Sequence, residues 1–176
     1  GHNEIITLIH EAGGRMNVTA YVERGVRTTG LYQACMNSDL HSETIRLMVA
    51  FGADVNHGQS GANKESPLYR AAEKGYARSV LTLLELGAAV DLPRDVDGNT
   101  PLFIAAERNH PAILRILFAA GANLDQKNKH DFAPVHATAC HGQHRAMRAL
   151  AELGANLGIQ TPNGATAIAM AAQSGH

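Results

Sequence analysis

The feature that most constrains this chain is a three-residue motif that returns about every 33 residues. It reads Thr-Pro-Leu at residues 100–102, and related triplets begin at Thr29, Ser66, Ala133 and Thr166. The differences between successive starting positions are 37, 34, 33 and 33 residues. A unit of this length cannot bury its apolar face alone, so the 176 residues are expected to form one elongated array of stacked copies.

The copy at residues 98–125 predicts two short antiparallel helices followed by a turn. Thr100 can cap a helix by accepting a first-turn N–H, and Pro101 suits the first helical position. The residue before Pro111 resists the helical region, so the first helix ends there and Pro111 begins a second one. Gly121 can take the left-handed conformation that ends a helix. The unit is therefore a helix-turn-helix.

A second landmark, a glycine that closes the second helix, recurs in the same register. It stands at Gly13, Gly52, Gly87, Gly121 and Gly154. Two landmarks that keep one register over essentially the whole chain resemble the ankyrin repeat family. The resemblance implies an all-α fold, an ankyrin-repeat solenoid of stacked helix-turn-helix units with hairpin-like connecting loops.

The register divides residues 1–176 into a single ankyrin-repeat domain. We expect a partial repeat at 1–17, full repeats at about 27–56, 64–91, 98–125 and 131–158, and a partial repeat at 164–176. The terminal helix at 166–176 offers no polar outer face, which a capping repeat needs. The chain is therefore expected to be a fragment of a longer protein.

Composition argues against several classes of protein. A formal net charge of −1 lacks the basic footprint that nucleic-acid binding needs. Cys35 and Cys140 lie about three repeats apart, beyond disulfide reach, and reduced thiols fit a cytoplasmic or otherwise intracellular protein. No apolar run is long enough to span a membrane, and no signal peptide is visible. The isolated chain is expected to be monomeric.

The resemblance also implies where a partner would bind. Family members generally bind partner proteins on the concave face, made by the hairpin tips and the exposed side of each first helix. The matching first-helix positions are Gln33, Asn37, Arg70, Lys74, Ile104, Arg108 and His141, and the matching tip positions are Lys64, Arg94 and Lys129. We expect none of these side chains to be needed for folding, with Ile104 and Met36 exposed as apolar anchors. The alternative is an ordinary solvated face of mixed charge.

Two further features leave alternatives open. Tyr32, Tyr69, Phe103 and His136 stand where the family usually has histidine. They either pack between repeats or form an aromatic strip open to a partner. The long connection at residues 18–28 predicts a hairpin finger with Gly25 at its turn, which is either functional or a neutral insertion.

Candidate chemistry is sparse. The ten histidines include His141 and His144 beside Cys140, but paired zinc-ligand spacings are missing, so no metal or cofactor is expected. There is no nucleophile elbow, phosphate-binding loop or His-Glu-x-x-His motif, so the chain is not expected to be an enzyme. The resemblance marks Asn56 as a position that can be hydroxylated in animal cells.

These observations favour a non-catalytic module that binds a partner protein. The alternative is a regulatory or scaffolding ankyrin segment of a larger enzyme, channel or secreted effector. Peptide or small-molecule sensing would need a true pocket, which a smooth extended groove does not provide. The identity of the partner does not follow from the fold.

Overall fold

The structure, a computed structural model, describes residues 2–11, 13, 20–22, 26–37, 42–58 and 64–176. Within these ranges it contains ten α-helices and one two-stranded antiparallel hairpin. The helices are α1 His2–Glu11, α2 Gly30–Asn37, α3 Ser42–Ala50, α4 Pro67–Lys74, α5 Ala77–Glu85, α6 Pro101–Glu107, α7 Pro111–Ala119, α8 Pro134–Cys140, α9 His144–Leu153 and α10 Ala167–Ser174. The strands are β1 Ala20–Val22 and β2 Val26–Thr28.

The capping signals read from the sequence act as predicted. The Ser66 hydroxyl accepts the N–H of Tyr69 at 3.1 Å, and the Thr100 hydroxyl accepts the N–H of Phe103 at 3.1 Å. A proline follows each cap at the first helical position. These bonds satisfy N–H groups that a helix start leaves without a partner.

The second helix of the unit is also bounded as predicted. Pro111 begins α7, and Gly121 lies just after its end with φ of 92°. Asn109, in the turn before α7, takes φ of 60°. Its side-chain oxygen accepts the N–H of Ala146 at 3.0 Å, so this turn also joins two units.

The helices stack in two rows. α2, α4, α6, α8 and α10 pack side by side as the first helices of their units, and α1, α3, α5, α7 and α9 form the neighbouring row. Fully buried leucines such as Leu68, Leu102, Leu117 and Leu150 join both rows in one continuous core. The architecture is the all-α ankyrin solenoid that the sequence predicts.

The connecting loops tie each unit to the next by one recurring hydrogen bond. In each case, a side-chain oxygen at the end of one unit accepts a backbone N–H from the following unit. The pairs are Asn56 with Ala89 at 2.9 Å, Asp91 with Asn123 at 3.0 Å, and Asp125 with Asn156 at 2.9 Å. Asn56 thus holds a structural place in the array, and its hydroxylation stays a prediction.

The row of residues at the family's histidine position is buried. Tyr32, Tyr69, Phe103 and His136 are at most 5% exposed. The prediction that they pack between repeats is therefore confirmed, and Phe103 is the most exposed of the four. Each of these side chains is covered because the first helices of adjacent units contact each other along their length.

His136 holds the start of α8 by a different bond from the hydroxyl caps of the earlier units, because it accepts the N–H of the cap-position residue itself. Ala133 occupies the cap position, and its N–H donates to His136 Nδ1 at 2.9 Å. Because Nδ1 accepts, Nε2 carries the proton and donates to the Ile159 carbonyl at 3.0 Å. Burial lowers the pKa of His136 from its ordinary value of 6.5, since a charged imidazolium is disfavoured there.

The connection at 18–28 contains the predicted hairpin. β1 and β2 pair antiparallel, with Ala20 opposite Thr28 and Val22 opposite Val26. Gly25, the predicted turn residue, lies outside the described residues.

Candidate interaction face

The ten side chains predicted to contact a partner lie in different environments. Half of them are exposed: Lys64, Lys74, Arg108, Lys129 and His141. Three are partly buried: Gln33, Arg70 and Arg94. Ile104 is buried. Asn37 ends α2, but its side chain, like that of Met36, is not among those that the structure describes.

Ile104 is a correction to the predicted face. Its side chain is 3% exposed, so it cannot serve as an exposed apolar anchor. α6 packs against both α4 and α8, and this contact on two sides buries every residue from 101 to 106. Sequence periodicity predicts one apolar stripe for an isolated helix, whereas a central helix of a stack is covered on several sides.

Arg70 and Arg94 also differ from prediction, because they take part in a buried ionic network. The Glu65 side chain, 7% exposed, lies 3.1 Å from Arg94 Nη1 and 3.5 Å from Arg70 Nη2. The Tyr32 hydroxyl donates to Glu65 Oε2, the oxygen that Arg70 approaches, at 2.5 Å. These arginines therefore have a structural role besides any partner contact, since a buried carboxylate needs such partners.

Each of these two arginines also covers a tyrosine ring. The Arg70 guanidinium lies 5.5 Å from the centre of the Tyr32 ring, and Arg94 lies 5.1 Å from that of Tyr69. Arg94 also pairs with Asp97. Burial acts to raise the pKa of Asp97, but hydrogen bonds from Arg94 and backbone N–H groups outweigh it and leave that pKa lowered.

The loop tips of adjacent units are linked by exposed contacts. Lys64 Nζ lies 2.9 Å from an Asp95 carboxylate oxygen, and Lys129 Nζ donates to the Asp95 backbone carbonyl. The side chains of Lys64 and Asp95 are 67% and 50% exposed. Exposed pairs of this kind contribute little to stability and can rearrange when a partner binds.

The exposed first-helix positions form one column. Lys74, Arg108 and His141 occupy equivalent places at the ends of α4, α6 and α8. Arg108 contacts Glu73 at 3.3 Å and Glu107 at 3.8 Å, with its own side chain 51% exposed. The helices stack without burying these side chains, so they remain accessible to a second molecule.

A groove interrupts the face between the third and fourth units, where the sequence predicts a smooth surface. It encloses about 350 Å³ between α6, α8 and the loops before them. Its walls include Asp97, Phe103, Glu107, Phe132, Ala137 and Cys140. We call it the Phe103 groove.

The cysteines and histidines of the described segments form no cluster that could hold a metal ion. No group of three or more His, Cys, Asp or Glu side chains in those segments could hold a metal ion. Burial raises the pKa of the Cys35 thiol to about 12 and also raises that of Cys140. Both cysteines are unpaired thiols, and a raised pKa disfavours the thiolate that a nucleophile needs.

Comparison with known proteins agrees with the fold. The family description for ankyrin repeats (3 copies) matches residues 1–94 and 31–128. This protein belongs to the ankyrin repeat family. Such repeats are generally protein-interaction modules and are typically non-catalytic. Across the part of the chain that the structure describes, no helix has the length and apolar character needed to cross a membrane.

The relatives are much longer proteins of several kinds. A Caenorhabditis elegans homolog of transient receptor potential cation channel subfamily A member 1 is 29% identical over 68% of this chain and 10% of its own length. The putative E3 ubiquitin-protein ligase XBAT35 of Arabidopsis thaliana is 31% identical over 66% of the chain and 24% of its own length. The human protein fem-1 homolog C is 37% identical over 40% of the chain and 13% of its own length. The chain thus spans a quarter or less of the length of these relatives.

Sequence reasoning missed the central member of the ionic network. Glu65 precedes the Ser66 cap, a position where charge is ordinarily exposed, yet its whole residue is 6% exposed. The sequence contains one signal for this network. Glu65 is followed by Arg70 in the next helix and by Arg94 in the next connecting loop. Without the stacking distance between loops, that combination could not be distinguished from surface charge.

Proposed function

We propose that this chain is a non-catalytic module that binds a partner protein through its concave face and loop tips. The observation that carries the proposal is the exposed column of Lys74, Arg108 and His141. One such side chain per unit stays exposed, while the residues directly before and after it are partly buried. Regularly spaced exposed side chains on a rigid scaffold suit an extended partner surface.

The test compares two pairs of charge reversals in affinity enrichment from lysate of the cells that express the protein. Lys74→Glu/Arg108→Glu alters the column, and Arg78→Glu/Arg145→Glu makes the same charge change on exposed positions of α5 and α9. Exposed substitutions of this kind should change the free energy of unfolding by no more than about 0.5 kcal/mol. Quantitative mass spectrometry should find a partner retained by the control pair and lost with the column pair. A partner lost equally with both pairs, or with neither, would contradict the proposed face.

Arg70 is not used for this test, because its guanidinium contacts the buried Glu65 carboxylate. Reversing its charge would place two carboxylates together inside the stack. Loss of binding by that variant would report lost folding rather than a lost contact.

A second candidate function is a regulatory or scaffolding segment within a larger enzyme, channel or effector. It is favoured by the relatives, which include a channel homolog and a putative ubiquitin ligase far longer than the matched region. Cross-linking mass spectrometry on the native gene product tests it. Links from Lys74 to segments outside residues 1–176 would support an intramolecular role, and links to other proteins alone would oppose it.

A further inference from the structure

The Phe103 groove can be compared with the equivalent place between the first two units. There, Arg70 of one unit lies over the Tyr32 ring of the preceding unit at 5.5 Å. In the register of the repeats, Phe103 corresponds to Tyr32, and Ala137 corresponds to Arg70. The position that supplies a guanidinium between the first two units therefore supplies only a methyl group between the third and fourth.

Because the fourth unit has alanine where the second unit has arginine, space is left beside Phe103. Phe103 and Ala137 both line the groove, together with Phe132 and Cys140. Phe132 contacts His136 in an edge-to-face arrangement, with ring centres 5.7 Å apart, and this contact fixes the orientation of the Phe132 ring. These walls are apolar and can receive the methylene stem of a long side chain.

The charges of the groove favour a cation. Asp97 and Glu107 supply its acidic groups, and no lysine or arginine is among its described lining residues. Its other polar lining residues are Asn99, Asn128, His130 and His141. The charge of Asp97 is already compensated by Arg94. The Glu107 carboxylate lies 3.8 Å from Arg108, beyond hydrogen-bonding distance, while Arg108 approaches Glu73 more closely at 3.3 Å. Glu107 therefore retains acceptor capacity at the groove.

We propose that the Phe103 groove accepts an arginine side chain of the partner protein, which takes the place that Arg70 fills between the first two units. Its guanidinium covers the aromatic wall and pairs with Glu107, and its methylene stem lies along Ala137 and Cys140. A planar guanidinium suits both contacts, because it stacks on rings and donates to carboxylates. This inference rests on the proposed function, because it gives the chemistry of the partner at one part of the same face.

The test uses N-acetyl-arginine N-methylamide as the probe and N-acetyl-citrulline N-methylamide as its neutral counterpart of similar shape. Binding to the 176-residue chain is followed by amide chemical shifts in nitrogen-15-labelled protein. We expect saturable shifts at Glu107 and at residues 137–141 with the arginine probe. Citrulline should bind on the order of three- to fivefold more weakly, the range expected for loss of one partly exposed ion pair. Equal affinities, or no saturable shift, would overturn the proposal.

Two variants locate the binding. Glu107→Gln should weaken the arginine probe on the order of three- to fivefold and leave citrulline unchanged. Glu152→Gln is the matched control, since Glu152 is an exposed carboxylate paired with Arg115 on the other row of helices. Ala137→Arg places a guanidinium in the groove from within and should abolish binding of the probe. Thermal melts establish whether each variant is folded. If Ala137→Arg does not fold, the result with Glu107→Gln decides the test.

The outcome is separable from that of the proposed function. A partner lost with Lys74→Glu/Arg108→Glu but held equally by wild type and Glu107→Gln would retain the interaction face and overturn the arginine site. Loss of the same partner with Glu107→Gln, at an unchanged melting temperature, would support both.

Discussion

The junction between the first two units and the junction between the third and fourth are built from equivalent positions but filled differently. Between the first two, the ring of Tyr32 is covered by Arg70, and the buried Glu65 carboxylate joins the two side chains. Between the third and fourth, Phe103 meets Ala137 across an open groove. The same backbone register thus supports a closed polar junction at one end and an unfilled apolar one at the other.

The difference shows that equivalent junctions of one array can leave different numbers of polar groups without an internal partner. A closed junction satisfies its charges internally and offers a partner few free groups. An open junction leaves area and acceptor capacity unused, which a partner can complete. Side chains that look alike in sequence, such as Arg94 and Arg108, therefore differ in role: the first pairs with the buried Glu65 and the second is 51% exposed.

The largest expected effect concerns the third unit, whose first helix forms one side of the open junction. Leu102 in α6 is fully buried, and Leu102→Ala should lower the free energy of unfolding by about 2–5 kcal/mol. Leu81→Ala is the matched control, because Leu81 is 45% exposed and its truncation opens no core cavity. Urea denaturation compares the two. Equal losses, or an unchanged Leu102→Ala protein, would show that α6 is not central to the stack.

The next prediction compares the carboxylates of the two junctions. Glu65→Gln should lower the free energy of unfolding by about 1–3 kcal/mol, because it removes the charge that two arginines and Tyr32 share in a buried site. Glu107→Gln should cost no more than about 0.5 kcal/mol, since Glu107 makes no close ion pair. Denaturation of both variants at neutral pH gives the comparison. If Glu107→Gln proved the more damaging, the closed and open junctions would be misassigned.

Much of the fold could be predicted from the sequence because the repeat is specified by short-range signals. The cap at Thr100, the proline after it and the closing Gly121 act within a few residues, and each lies where the register predicts. Leu102 is buried as its place in the motif requires. Signals repeated in register reinforce one another, so an ambiguity in one copy is resolved by the next.

The candidate site was less predictable because it depends on contacts between units. Ile104 is buried by flanking helices rather than by its own helix, and the roles of Arg70 and Arg94 depend on a carboxylate supplied from a loop. The Phe103 groove forms because Ala137 has no long side chain to fill the space that Arg70 fills in the second unit. Such features require the distance between stacked units, which no periodicity within one unit provides.

A smaller effect is expected from the two tyrosine hydroxyls. Tyr32→Phe removes the hydrogen bond to Glu65 and should lower the free energy of unfolding by about 1–2 kcal/mol. Tyr69 is equally buried, but its hydroxyl has no hydrogen-bond partner among the described residues. Tyr69→Phe should therefore be neutral or slightly stabilising, because it removes an unsatisfied polar group. Parallel denaturation curves would decide, and an equal loss in both variants would contradict the contrast between the hydroxyls.

The last prediction concerns pH and the fourth unit. Burial holds the pKa of His136 below the value of 6.5 expected in the unfolded chain. Between these two values the unfolded state binds the proton and the folded state does not, so stability is complete above pH 6.5 and falls as the pH drops through this window. His136→Phe introduces the residue type that the third unit uses at the same position, Phe103. It should cost stability at neutral pH through the lost bonds to Ala133 and Ile159, yet lose less on acidification.

The readout is the free energy of unfolding of both proteins at several pH values from about 7.5 to 5, a range that spans ordinary histidine titration. Other histidines contribute equally to both curves, so the difference in slope isolates His136. Its hydrogen bonds bear on the comparison of junctions, because they hold the residue before α8 and tie the fourth unit to the loop beyond it. Parallel curves would mean that His136 has the same pKa in the folded and unfolded states, so that its burial does not disfavour the imidazolium.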